Sequence, residues 1–134
     1  MNRSSVVRAL LIAASSLLVG LTACSDGPRT ITIEMRNSRF TPASFDVDAD
    51  EQVRIALSNH DPLAHEFIIG TAAEHAEHEE GTETTHDGAA GAASLKAGER
   101  DVTTYTFVEP GELIFACHLP GHYAYGMKGT ITVR

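Results

Sequence analysis

The sequence predicts an all-β domain, a sandwich or barrel of short strands, and three observations carry that reading. Apolar and polar residues begin to alternate with period two at Thr30, and the alternation recurs in three segments before Asn59. No convincing helix lies among those segments. Further on, runs rich in Thr, Tyr, Phe and Ile are punctuated by turns containing Gly and Pro. The chain has 134 residues, which suits one domain.

The first 23 residues stand outside that pattern. Arg3 and Arg8 give a positive start, and Ala9 to Leu21 is an apolar run interrupted only by Ser15, Ser16 and Gly20. It is short for a bilayer-spanning helix and has the layout of an export signal. Leu21-Thr22-Ala23-Cys24 resembles the bacterial lipobox, which implies cleavage before Cys24 and a diacylglycerol anchor on its sulfur. Two or more acyl chains hold a protein durably at a membrane. An ordinary signal peptide cut near Ala23 is the plainer alternative. Residues 24–29 form a tether, since Gly27-Pro28 opposes a continued helix. The expected location is extracytoplasmic, on a membrane, in a periplasm-like space or at the cell surface.

The domain spans 30–134. Ile31, Ile33 and Met35 alternate with Thr32, Glu34 and Arg36, so Met35 belongs to the core. Phe45 and Val47 mark a second strand, and Val53, Ile55 and Leu57 a third. Asn59 to Pro62 is a loop. His65, Phe67 and Ile69 share one face of the next strand, with His65 at its start and hence at the edge of the core. Val102 to Val108 is a strand, Glu109 to Glu112 a tight turn, and Leu113, Phe115 and Cys117 share a face beyond it. Ile131 and Val133 define the last strand. The total is about seven or eight.

Residues 71–93 differ in kind. They contain no Val, Ile, Leu, Met, Phe or Tyr, and they carry six acids together with His75, His78 and His86. Such a segment buries too little apolar surface to offset its ordering entropy. It is expected to be a mobile insert with at most one helical turn around Ala73 to Glu79. Its three histidines form a candidate secondary metal site, weighed against a solvated charged tether.

The chain is acidic, with 18 Asp+Glu against 10 Lys+Arg and a formal net charge of −8. That argues against nucleic-acid binding, which needs a basic face. Cys24 and Cys117 each have a more specific use than a mutual disulfide. No nucleophile–base motif and no Gly-rich phosphate loop is present, so neither an enzyme nor a small-molecule substrate is expected.

Cys117-His118-Leu119-Pro120-Gly121-His122-Tyr123-Ala124-Tyr125-Gly126-Met127 carries the chemistry. A thiol, an imidazole and a thioether at fixed intervals suit copper. Thiolate and thioether stabilise Cu(I), while imidazole tolerates both oxidation states. Zinc is the rival, but thioether is a poor zinc ligand. A second rival makes Met127 plain core and Cys117 a small buried hydrophobe. Tyr123 and Tyr125 are candidates to pack around the loop and keep water out. Strand alternation turns His118 away from Cys117, toward the outer face. His60 lies in a turn and is a weaker candidate than His65.

The order His65, Cys117, His122, Met127 resembles the cupredoxin family, the type 1 blue-copper proteins of plastocyanin and pseudoazurin type. The likeness is most specific over Cys117 to His122 and over Gly126-Met127-Lys128-Gly129-Thr130-Ile131-Thr132-Val133. It implies a Greek-key β-sandwich and one copper ion. In that picture His65, Cys117 and His122 bind in the plane and Met127 on the axis. It also implies electron transfer through Cu(I)/Cu(II) to redox partner proteins. Copper buffering, delivery or resistance is the alternative function. The Cys-His pair also resembles the multicopper oxidases, but Ala116 replaces one of their histidines. Glu66 stands where an Asn in better-known members ties the two ligand loops together, which leaves that tie without an obvious substitute.

Overall fold

The computed structural model describes residues 27–80 and 89–134. The leader, Cys24 and His86 lie outside the described residues. The strands are β1 (Arg29–Met35), β2 (Phe40–Thr41), β3 (Ser44–Val47), β4 (Glu51–Asn59), β5 (His65–Gly70), β6 (Ala92–Leu95), β7 (Arg100–Phe107), β8 (Gly111–Ala116) and β9 (Lys128–Val133). Two helices interrupt them, α1 (Ala72–Glu80) and α2 (His122–Tyr125). One sheet has the order β2-β1-β4-β7 and the other β3-β9-β8-β5-β6. The expected all-β sandwich is therefore present, with two short strands, β2 and β6, beyond those the alternation marked. The pairing is mixed rather than wholly antiparallel, because β1 runs parallel to β4 and β3 parallel to β9.

Alternation decides what each sheet contributes to the core. Ile33 and Met35 from β1, Val53, Ile55 and Leu57 from β4, Phe67 from β5 and Ile131 and Val133 from β9 are all buried in one cluster. Met35 is thus core, as its period implied. The centre is aromatic. Phe115 stacks on Phe67 with ring centroids 5.4 Å apart and on Phe45 at 5.6 Å, while Phe40 meets it edge-on at 5.2 Å. Gly129 lies opposite Phe115 in the β8–β9 register. A Cβ there would run into the Phe115 ring and would stand 2.5 Å from the Ala43 carbonyl oxygen. The absent side chain is what leaves room for the ring.

The loop leading to β5 is held by buried polar side chains. The Asn59 side chain donates to the Leu63 carbonyl at 2.8 Å and to the Lys96 carbonyl at 3.0 Å, and it accepts from the Asp61 N–H at 3.0 Å. The Asp61 carboxylate accepts the N–H of Asn37 at 2.6 Å and of Ser38 at 2.8 Å. Those two residues have φ of 55° and 51°, left-handed values that aim successive N–H groups at one anion. The same carboxylate lies 2.8 Å from His65 Nε2. Burial alone would raise the Asp61 pKa, but the Ser38 N–H, the His65 ring and the Asn37 N–H outweigh it and hold it below the ordinary value.

The described parts of the 71–93 segment, residues 71–80 and 89–93, depart from the mobile insert expected there. Residues 72–80 form a nine-residue helix that packs on β5 and β8, and 92–95 form β6 at the sheet edge. The physical reason lies partly in a capping box. Thr71 Oγ1 accepts the Glu74 N–H at 3.2 Å, and Glu74 Oε2 accepts the Thr71 N–H at 2.6 Å. The other part is His75, whose ring is fully buried and supplies the anchor that no aliphatic residue of the helix provides.

Two predictions test these packing and charge arguments. Gly129→Ala should lower stability by about 1–3 kcal/mol through overpacking, read as a reduced urea midpoint with an unchanged slope. Asp61→Asn should cost about 1–3 kcal/mol at neutral pH, because buried N–H donors lose their anionic acceptor. The depressed carboxyl contributes stability that is complete above its unfolded pKa of about 3.9 and is lost as pH falls through the lower folded value. Urea unfolding of the metal-free protein should therefore show the gap between wild type and Asp61→Asn closing below pH ~4.

Candidate metal centre

Two loops at one end of the sandwich bring the candidate donors together. Cys117 follows β8 directly, on the core face it shares with Phe115, and has no exposed surface. His122 opens α2, and Met127 lies between α2 and β9, also without exposed surface. The backbone closes this loop tightly. Cys117 N–H donates to the Met127 carbonyl at 3.1 Å, and Met127 N–H donates to the His122 carbonyl at 2.9 Å. Gly121 and Gly126 bracket α2 with φ of 82° and 98°, values that a residue with a Cβ adopts only under strain. The run between Cys117 and Met127 is thus pinned between two antiparallel strands.

His65 enters from the other sheet position, at the start of β5 and 1% exposed. Its Nδ1 lies 3.2 Å from His122 Nδ1, and His122 Nδ1 lies 3.3 Å from Cys117 Sγ. All three donor atoms fall within 4.8 Å of one another, and among the described residues no other such trio of His, Cys, Asp or Glu occurs. The Asp61 carboxylate can only accept, so His65 donates from Nε2 and presents a lone pair at Nδ1. That is the tautomer a metal requires, fixed by a carboxylate behind the ring. Asp61 itself is fully engaged with His65, Asn37 and Ser38, which makes it a support rather than a ligand.

The electrostatics call for a cation. Burial pushes the Cys117 thiol pKa up, and the N–H groups of Glu66 and Leu119 offset this only in part. Burial, and then the nearby His65, pull the His122 pKa down, which favours the neutral ring. A buried sulfur facing two imidazole nitrogens suits a soft-to-borderline metal whose charge replaces the thiol proton. Among the described residues Cys117 is a free cysteine.

The tie between the two ligand loops, left open by Glu66, is made by the main chain. The Glu66 N–H donates to Cys117 Sγ at 3.3 Å, so the side chain at this position is not needed for it. His60 is excluded from the cluster, lying exposed with its Nε2 3.8 Å from Glu34. Tyr125 does not shield the loop as expected. It is 63% exposed and lies under the Arg39 guanidinium, 4.2 Å from its ring centroid. Tyr123 stacks instead on His118, centroid to centroid 4.9 Å, on the outer face that alternation assigned to His118. His75 and His78 belong to α1 and not to this cluster. Asp61 escaped the sequence reading because a carboxylate four residues before a histidine carries no periodic signal in a loop. Thr71-Ala72-Ala73-Glu74, by contrast, was a readable helix start.

Comparison with known proteins agrees with this geometry. The profile of the cupredoxin-like domain matches residues 7–133. The copper-resistant cuproprotein CopI of Rubrivivax gelatinosus is 34% identical, with 79% of this chain and 67% of that protein covered. The Pseudomonas aeruginosa protein of the same name is 33% identical, covering 79% and 76%. Among solved structures, the dithionite-reduced auracyanin of Roseiflexus castenholzii superposes with a TM-score of 0.69 at 27% identity, over 81% of this chain and 99% of that one. The sandwich, the His–Cys–His cluster and the profile match lead to one conclusion: the chain belongs to the cupredoxin-like family, and its cofactor is copper.

Proposed function

We propose that the protein exchanges single electrons at one copper ion held by His65, Cys117 and His122, with Met127 as the fourth donor, and that this chemistry serves copper tolerance outside the cytoplasm. The observation that carries the proposal is the convergence of two Nδ1 atoms and one Sγ within 4.8 Å. Copper supplies a Cu(I)/Cu(II) couple at such a donor set. The residues do the rest. The β8–β9 closure and the Asp61 clamp hold the donors still, so that little rearrangement accompanies a change of charge. Phe115 and Phe67 behind the site and the full burial of Met127 keep water away from the sulfur. His122 is the most exposed of the three clustered donors, which makes its edge the route by which an electron enters or leaves.

Support for the tolerance role comes from the two cuproproteins described as copper-resistant, which align with most of the chain. Support for electron transfer comes from the donor chemistry and the auracyanin likeness. Leu63 and Tyr125, 43% and 63% exposed, lie in the two ligand-bearing loops and suit brief docking of a redox partner protein. No chemical conversion of a substrate is part of the proposal. The leader and Cys24 would keep the domain at a membrane by a lipid anchor.

Two experiments check this reading. Cys117→Ser should abolish the strong visible thiolate–copper absorption and the reversible one-electron wave seen with copper-loaded wild type. It should also fail to restore growth on copper to a strain lacking the gene, and full restoration would remove the site from tolerance. Cys24→Ser should move the protein from the membrane fraction to the soluble fraction, and unchanged partitioning would refute the lipid anchor.

A further inference from the structure

The outer face of the five-stranded sheet carries a second pair of converging imidazoles. His75, buried on α1, donates from Nε2 to the Ile114 carbonyl at 3.0 Å. A carbonyl only accepts, so His75 Nδ1 is a lone pair. His118 donates from Nδ1 to Glu79 Oε1 at 2.9 Å, which leaves His118 Nε2 a lone pair when that ring is neutral. These two nitrogens face each other at 2.7 Å. Two lone pairs do not hydrogen-bond. Either an extra proton lies between them or a cation does.

The arrangement repeats the logic of the copper centre. There, His65 is backed by a carboxylate at Nε2 and turns Nδ1 toward another imidazole nitrogen at 3.2 Å. Here one ring is backed by a carbonyl and the other by a carboxylate, the two supports that commonly orient metal-binding histidines. His78, one turn from His75 on α1, has its ring centroid 5.2 Å from that of His118. A cleft of about 170 Å³ lined by Gly70, Glu74, His75 and His78 opens beside it and admits water. Tyr123 closes the opposite side, stacked on His118 at 4.9 Å and on His75 at 6.0 Å.

We propose that His75 Nδ1 and His118 Nε2 bind a second copper ion, as Cu(II), with water completing its coordination. Metal–nitrogen bonds of about 2.0–2.1 Å at a right angle place the nitrogens about 2.8–3.0 Å apart, whereas a tetrahedral angle places them about 3.3–3.4 Å apart. The 2.7 Å separation is shorter than both and lies nearer the former. Right-angled nitrogen and oxygen donors suit tetragonal Cu(II), which is also the divalent first-row ion that such sites bind most tightly. This site lacks a thiolate and is independent of whether the first copper exchanges electrons.

The test is Cu(II) titration of the full chain, read by metal analysis, visible absorption and electron paramagnetic resonance. Wild type should take two Cu(II) per chain, the second adding a resonance signal without thiolate absorption. The double variant His75→Ala/His118→Gln should take one and keep the visible band, which also reports that the fold is intact. Glu79→Gln retains both rings and should weaken the second copper about 10–100-fold while leaving the first unchanged. Cys117→Ser should keep the second copper's resonance signal, without the visible band. A wild-type stoichiometry of one, or a second copper that survives in the double variant, would overturn the proposal. Loss of the redox role with the second copper retained would instead count against the function proposed above and leave this site standing.

Discussion

A sulfur with no exposed surface cannot carry negative charge unaided. Burial raises the Cys117 thiol pKa, and the N–H groups of Glu66 and Leu119 offset this only in part. The architecture around the sulfur answers that constraint. The Glu66 main chain gives it one hydrogen bond, His65 and His122 converge beside it, and a copper ion held there would supply the positive charge. Desolvation therefore works in favour of the metal. The buried thiol is costly to ionise alone, and the neutral imidazoles present lone pairs rather than competing protons.

Holding that arrangement still requires stiffness from two directions. On one side the Cys117–Met127 loop is closed by backbone hydrogen bonds continuing the β8–β9 ladder. On the other, a buried carboxylate joins three parts of the chain. Asp61 binds the turn at Asn37 and Ser38 and orients the His65 ring, coupling the β1–β2 turn to the ligand at the start of β5. The aromatic stack of Phe40, Phe67, Phe115 and Phe45 lies directly behind and fixes the two ligand-bearing strands relative to each other. Gly129 is the concession the backbone makes to that stack.

Helix α1 shows how a segment poor in aliphatic residues still docks. Its anchor is an imidazole, which donates to the Ile114 carbonyl from one nitrogen and faces His118 with the other. His118 in turn is sandwiched between α1 and Tyr123, whose other neighbour is the Lys128 ammonium, 4.3 Å from the ring centroid. A polar cluster thereby lies on one face of β8 while the hydrophobic core and the copper site lie on the other. Adjacent residues Cys117 and His118 serve opposite sides because side chains alternate along an extended chain.

Local spacing was enough to read every described strand but the short β2 and β6, the core position of Met35, and the Cys117, His122 and Met127 loop. Alternation and ligand intervals are short-range properties that survive without coordinates. His65 was legible for the same reason, since it begins a strand whose next inward residues are Phe67 and Ile69. What lay beyond the sequence were contacts between residues far apart along the chain. Asp61 takes N–H groups from residues more than twenty positions earlier, and His75 meets His118 across 43 positions. Aliphatic content offers no anchor for residues 72–80, so composition alone assigns them no fixed structure. Their helix depends on a buried histidine whose partners exist only once β8 has been laid down beside it. Composition registers how much apolar surface a segment can bury. Whether a polar ring can be buried is decided by the partners that the fold brings to it.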